Sequence, residues 1–504
     1  VPQRLSLRCE PFDRLEACVS EASCVSAGSA KRVGDQVRYL ASYLRNAEVG
    51  AKTILIEYPY VDRHWLEEYA GYYATLLDPP RPKATRFHFL DVAWTTDEFM
   101  EQLASAIERR DGADIAKHYI GFSVIRPLAA APLGRTVVRP YRHVAERCFA
   151  PAALKHRVHL AGLTIRVEGL PFQQQDQGVA ACATTALWSA LTKVIRTDGG
   201  RAPTPYAVTL AATNQHVQAR AFPALAGLDL EQMASAIHAF GYQPHVFQRA
   251  SEADDFVLAL KTYLRSGLPV IVRSRVEDSD LHAFTLVGYR ERSLDEGTAS
   301  DLAITIGEHI KLRARGVVRW YSHDDRFGAY ARLGFIDDQD EQRHTRLRLL
   351  PTERGFEHLE TPMVFWDAIV PLYPKLRLTA EELIAYAIDL SPAVRFLARD
   401  DANLHVSLQF ILGGEYLSRL HTLSIERDRI VQLCTTLALS RYVGVISWCR
   451  GDEWALDAVY DTTDLRRGDT SRPTLLALVP RNPGWIAQLE QIRSLRFGDG
   501  PLIA

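Results

Sequence analysis

Pro171–Trp188 reads PFQQQDQGVAACATTALW, and the rest of the chain is organised around it. A glutamine-rich approach gives way near Gly178 to an apolar run, VAACATTALWSALTKVI, rich in Ala and Leu and free of Pro and Gly. Such a run predicts a helix of about four to five turns. Cys182 falls in its first turn, where unpaired backbone N–H groups and the positive end of the helix dipole stabilise a thiolate. A Gln a few residues upstream offers a side-chain N–H to an oxyanion. The competing reading is a small buried cysteine in a core helix, the commoner fate of Cys.

Downstream of this helix the chain first stays helical. Pro205–His216, Leu228–Phe240 closed by Gly241, and Glu252–Ser266 closed by Gly267 read as helices. Strands follow at Pro269–Arg273, His282–Tyr289, Leu302–Ile306 and Val317–Ser322. A helical half carrying a cysteine therefore precedes a sheet half carrying a histidine, and a cleft between two such halves is a natural catalytic site. Strand alternation puts His282, Phe284 and Leu286 on one face. A lone His on an apolar face is more often a satisfied core residue than a base, so His282 gains weight only from its neighbours. The strand at 317–322 runs on into His323, Asp324 and Asp325 and a turn-prone Arg-Phe-Gly. A carboxylate at a strand end suits the third role of a triad, accepting the imidazole N–H and fixing its tautomer. An Asp-rich turn is the bland alternative. A metal site is disfavoured, because no partner His or carboxylate stands nearby at ligand-like spacing.

QQQDQGVAAC, the GLPVIV–HAFTLVGY pair and the HDDRFGAY turn, in the order Cys, His, Asp, resemble the papain-like cysteine peptidases. They are most similar to the compact bacterial branch that includes peptidase domains cutting bacteriocin leader peptides. His282 follows Cys182 by 100 residues and Asp324 follows His282 by 42, intervals that suit that branch. The resemblance implies a Cys182 nucleophile, a His282 general base and an orienting Asp324, with Asp325 competing for the third role. It implies an oxyanion Gln drawn from Gln174, Gln175 or Gln177. At the family's Gln-to-Cys interval stands Asp176, with Gln175 and Gln177 on either side, and Ala183 follows the cysteine where many members carry an aromatic. The activity implied is hydrolysis of a peptide or isopeptide bond through a thioester. Acyl transfer or glutamine deamidation on the same triad, and a catalytically silent module that binds a partner, are the other classes open.

At 504 residues the chain is too long for one core. Three domains are expected: 1–150 and 351–504 as α/β units flanking an α+β papain-like domain over 151–350. In the first, Val37–Asn46 and a helix capped by Asp62 and running to Leu77 alternate with strands at Thr53–Glu57, Phe87–Val92 and Tyr119–Ile125; Thr95-x-x-Glu98 opens a further helix as a capping box. In the last, Thr379 and Glu382 open a helix that Pro392 ends, Ile425–Ser440 forms a second and Trp485–Leu495 a third, with strands at Tyr442–Cys449, Trp454–Tyr460 and Leu475–Val479. The flanking units are expected to bind the substrate protein or a partner and to restrict access to the Cys182 cleft. A net charge of −2 provides no global field to recruit nucleic acid or anionic membrane. Seven cysteines without a paired framework fit a reducing, cytoplasmic compartment. Cys434 and Cys449 sit in apolar patterns and read as inert core thiols. No phosphate-binding loop or dinucleotide fingerprint occurs, so no cofactor is expected. No membrane-length apolar stretch or signal-peptide pattern stands in these residues, although a processed leader stays open.

Overall fold

The structure is a computed structural model that describes residues 5–23, 34–142, 144–150, 154–176, 178–179, 181–214, 227–248, 253–276, 281–292, 303–306, 312–336, 346–350, 362–398, 404–421, 427–450, 453–463, 475–480 and 485. Helices and strands mix throughout, and the sheets are antiparallel apart from one short pairing, so the chain is α+β. The α/β character expected of the flanking segments gives way accordingly. Ser6–Pro11, Thr53–Tyr60, Ala84–Leu90, Tyr119–Ile125 and Leu133–Val138 lie side by side in chain order as a five-stranded antiparallel sheet. Each helical connection between these strands returns to the end of the sheet it left. Strand–helix alternation in sequence does not distinguish such a return from a parallel crossover.

Local signals set two of the helix starts here. Asp62 accepts the N–H groups of His64 (3.0 Å) and Trp65 (3.2 Å), and Thr95 and Glu98 form the reciprocal capping box. The helix from Asp62 stops at Gly71 rather than Leu77, with a short 3₁₀ turn following at Tyr73–Thr75. A strand at Ser6–Pro11 and a helix at Leu15–Ser23 occupy a region with little periodic signal.

The middle of the molecule is a closed ring of strands. Val270–Val276, Leu281–Glu291, Val317–Asp324, Gly328–Phe335, Arg346–Leu349 and Met363–Leu372 pair successively, and the last pairs back with the first. Closure leaves no free edge within the ring itself. Arg147–Phe149 and Gln243–Gln248 attach outside it. Ala303–Ile306 and Leu312–Arg315 instead extend the six-stranded C-terminal sheet, beside Leu404–Leu412, Tyr442–Arg450, Glu453–Asp461 and Leu475–Pro480. The sheets therefore do not divide at residues 150 and 350.

Against this ring lies the helix Cys182–Thr197, with every residue from Ala183 to Ile195 buried. A helix buried on all sides is a core helix, and this one is the central spine. One continuous apolar core joins Val37, Leu187, Phe284 and Phe410 across the three larger sheets. In the C-terminal part, Ala380–Leu397 continues through Pro392 instead of ending there. Val394 and Leu397 extend the stripe of Leu383, Ile384, Ala387 and Leu390, and their burial outweighs the hydrogen bond lost at proline. The expected second helix spans Arg427–Thr436, preceded by an unforeseen one at Gly413–Leu420. The helix expected from Trp485 lies outside the described residues except for Trp485 itself. Among the described residues no helix is long and apolar enough to cross a membrane.

Candidate active site

Cys182 is the first residue of the central helix, after Ala181 at the N-cap position. His282 opens the Leu281–Glu291 strand, which is tied to that helix one turn further on: Thr285 Oγ1 donates to the Ala186 carbonyl at 2.9 Å. Cys182 is thereby set close enough to His282 to add to the upward push on its imidazole. Phe284 stacks on the imidazole, with ring centroids 5.9 Å apart, as the shared face of the strand requires.

Asp324 closes the neighbouring strand and makes the tight turn back. Its carbonyl accepts Phe327 N–H at 3.0 Å and its Oδ1 accepts Arg326 N–H at 3.0 Å, a local pattern that favours Asp at a turn. The same carboxylate accepts from His282 Nε2 at 2.8 Å. Nε2 being so engaged, Nδ1 is the ring nitrogen left for the thiol. Asp325 Oδ1 lies 3.7 Å from Nε2, beyond a hydrogen bond. Neither of its buried carboxylate oxygens has a hydrogen-bond partner among the described residues. Gln36, from the N-terminal helix Asp35–Arg45, reaches the back of the turn and donates to the Asp325 carbonyl at 3.1 Å.

The charges are sorted by these contacts. Burial opposes protonation of His282, but Asp324 and Asp325 overcome it and push the imidazole up to about 10. Burial also opposes ionisation of Asp324, yet the Arg326 guanidinium and the imidazolium hold it well below the usual carboxylate range. Burial with Asp324 alongside pushes Asp325 up, against the pull of His282. Cys182 and His282 remain partly exposed while both carboxylates are buried. A thiol, an imidazole and an ionised carboxylate in that sequence can generate a nucleophile and return a proton to a leaving group.

Of the glutamines, Gln174 is turned into the N-terminal sheet, its amide donating to Ala130 O and accepting from Leu133 N–H, both at 3.4 Å. Gln175 is exposed, and Gln177 lies outside the described residues. Asp176, at the interval where the resemblance implies Gln, is buried and accepts the N–H groups of Gly178 (2.9 Å) and Val179 (2.7 Å). Gly178 itself has no room for a side chain: a Cβ there would sit 2.6 Å from the Tyr72 ring.

Sequence reasoning missed Arg326, Thr285 and Gln36. Arg326 was legible as the cation two residues after Asp324; the other two depend on tertiary packing. It also found no ligand-like partner for the Asp pair, whereas the fold brings His282 in from another strand. His282, Asp324 and Asp325 offer ligand atoms within 4.8 Å of one another, the spacing of a metal cage. A cation there would face the Arg326 guanidinium, whose Nη2 holds Asp324 Oδ2 at 3.1 Å. The 2.8 Å imidazole–carboxylate contact is that of a hydrogen-bonded pair. Cys434, expected in the core, is only partly buried, with its sulfur 3.8 Å from His421 Nε2.

No protein-family model matches the chain, and no curated protein matches it.

Proposed function

We propose that the chain is a papain-like thiol hydrolase acting on a peptide or isopeptide bond. One observation supports the reading: His282 Nε2 donates to the buried Asp324 carboxylate at 2.8 Å, on a strand that Thr285 ties to the helix begun by Cys182. Cys182 sulfur attacks the acyl carbon, and His282 delivers its proton to the departing amine. Asp324 holds Nε2 so that Nδ1 faces the sulfur. Backbone N–H groups at the helix start, with Gln175 or Gln177, receive the developing oxyanion. Water, deprotonated by His282, then opens the thioester and restores the thiol.

Incubation of the full chain with a mixture of unstructured proteins, read by product mass, tests this. Water added across backbone or isopeptide bonds, abolished by Cys182→Ala, is the expected result. Conversion of Gln to Glu without chain scission, or joining of an added amine, would move the same site to deamidation or transfer. No covalent change with any substrate class would leave a partner-binding module.

A further inference from the structure

We propose that Arg126, from the N-terminal sheet, is a positioning residue that sets Cys182 against His282 by anchoring the approach to the nucleophile helix; this rests on the thiol-hydrolase reading. Arg126 follows the Tyr119–Ile125 strand and is fully buried. Its Nη1 donates to Asp176 Oδ2 at 2.8 Å and to Glu68 Oε2 at 3.0 Å. Its Nη2 donates to the carbonyls of Gln174 and Ala131, each at 2.9 Å. Gln173 Nε2 donates to Glu68 Oε1 at 2.6 Å, and Phe172 pairs with Thr136 on the sheet edge through two 2.8 Å hydrogen bonds. The glutamine-rich segment is thus an added edge of the N-terminal sheet.

Asp176 connects this anchor to the nucleophile. One oxygen takes the guanidinium, while the other shapes the turn through Gly178 and Val179. Val179 O accepts from Thr209 Oγ1 at 2.9 Å, and Cys182 begins the helix three residues later. Two carboxylates sharing one buried guanidinium are a poor device for stability alone, since apolar residues of the same volume often serve better. Burial, with Asp176 nearby, pushes Glu68 up to about 7, as such crowding demands. What the cluster supplies is direction: the planar fork bonds two carboxylates and two carbonyls in one geometry, which an ammonium cannot reproduce.

The test uses the full chain carrying Glu68→Gln, Arg126→Met and Asp176→Asn together. Asn keeps the oxygen that shapes the turn, so charge and anchor go while the turn remains. Arg126→Lys serves as a second variant that keeps the charge. Cooperative melting reports the fold, the alkylation rate of Cys182 against that of Cys434 reports thiol placement, and kcat and KM are read on a substrate of the wild-type chain. A displacement near 1 Å predicts a fall of about 10²-fold in kcat. KM should hold within about twofold, because none of the three residues is placed at the substrate. Cys182 alkylation should slow and Cys434 should not, with Arg126→Lys intermediate. A variant that melts cooperatively yet keeps wild-type kcat and alkylation overturns the proposal. If the triple variant fails to fold, Arg126→Lys decides on the same criteria. Slowed Cys182 alkylation in a chain whose wild type hydrolyses nothing would sustain the positioning role and remove the hydrolase reading instead.

Discussion

Asp324 and Asp325 are adjacent in sequence and both buried, yet they face opposite electrostatic situations. Asp324 has the imidazole and the Arg326 guanidinium as partners; Asp325 has neither within hydrogen-bond reach. Asp324→Asn should therefore lower turnover by about 10²- to 10⁴-fold at neutral pH by favouring the wrong imidazole tautomer. Asp325→Asn should change turnover less than about threefold, for want of such a hydrogen bond to lose. Steady-state rates on the same substrate check both, and reversed effects would exchange the roles. The pH dependence of stability separates them as well. Asp325 is raised to about 6, so its contribution is present below its ordinary range and lost as pH rises through about 6. Melting temperatures from pH 5 to 8 should thus fall less for Asp325→Asn than for the wild type. Which of two neighbouring carboxylates reaches the ring was left open in the sequence, because it is set by the bulge between Ser322 and Asp324 and by Arg326.

At the scale of elements, legibility followed the reach of the signal. Capping boxes at Thr95 and Thr379 act over three residues and marked their helices well. The hairpin Lys155–Leu160 and Leu163–Glu168 went unread although its burial alternates strictly, because its turn is Ala161-Gly162 rather than a stronger turn pair. Pro392 misled in the other direction, since a proline usually ends a helix and here tertiary burial overrides it. It lies exposed on the helix surface. Pro392→Ala should consequently stabilise the chain by up to about 3 kcal/mol, visible as a higher denaturant midpoint with an unchanged slope. A lower midpoint would mean that the helix depends on the proline. Ring closure by Met363–Leu372 is a pairing across ~90 residues of chain, and no periodicity in sequence announces it.

For the whole molecule, the parts lean on one another. A fragment of 151–350 lacks the Met363–Leu372 strand that closes the ring, the Arg147–Phe149 strand beside the His282 strand, and the Arg126 anchor. Such a fragment should aggregate or melt without cooperativity, as calorimetry would record. A cooperative transition in the fragment would restore the idea of flanking units that only restrict access. Burial pushes the thiols of Cys9, Cys18, Cys148 and Cys449 up, which leaves them protonated and slow. The central claim, that Cys182 and His282 form a working pair, is therefore tested most directly by brief iodoacetamide labelling of the folded full chain at pH 7, read by peptide mass. Labelling should be fastest at Cys182 and should slow markedly in His282→Ala. Labelling at Cys434 or elsewhere with Cys182 untouched, or a rate at Cys182 indifferent to His282, would contradict it.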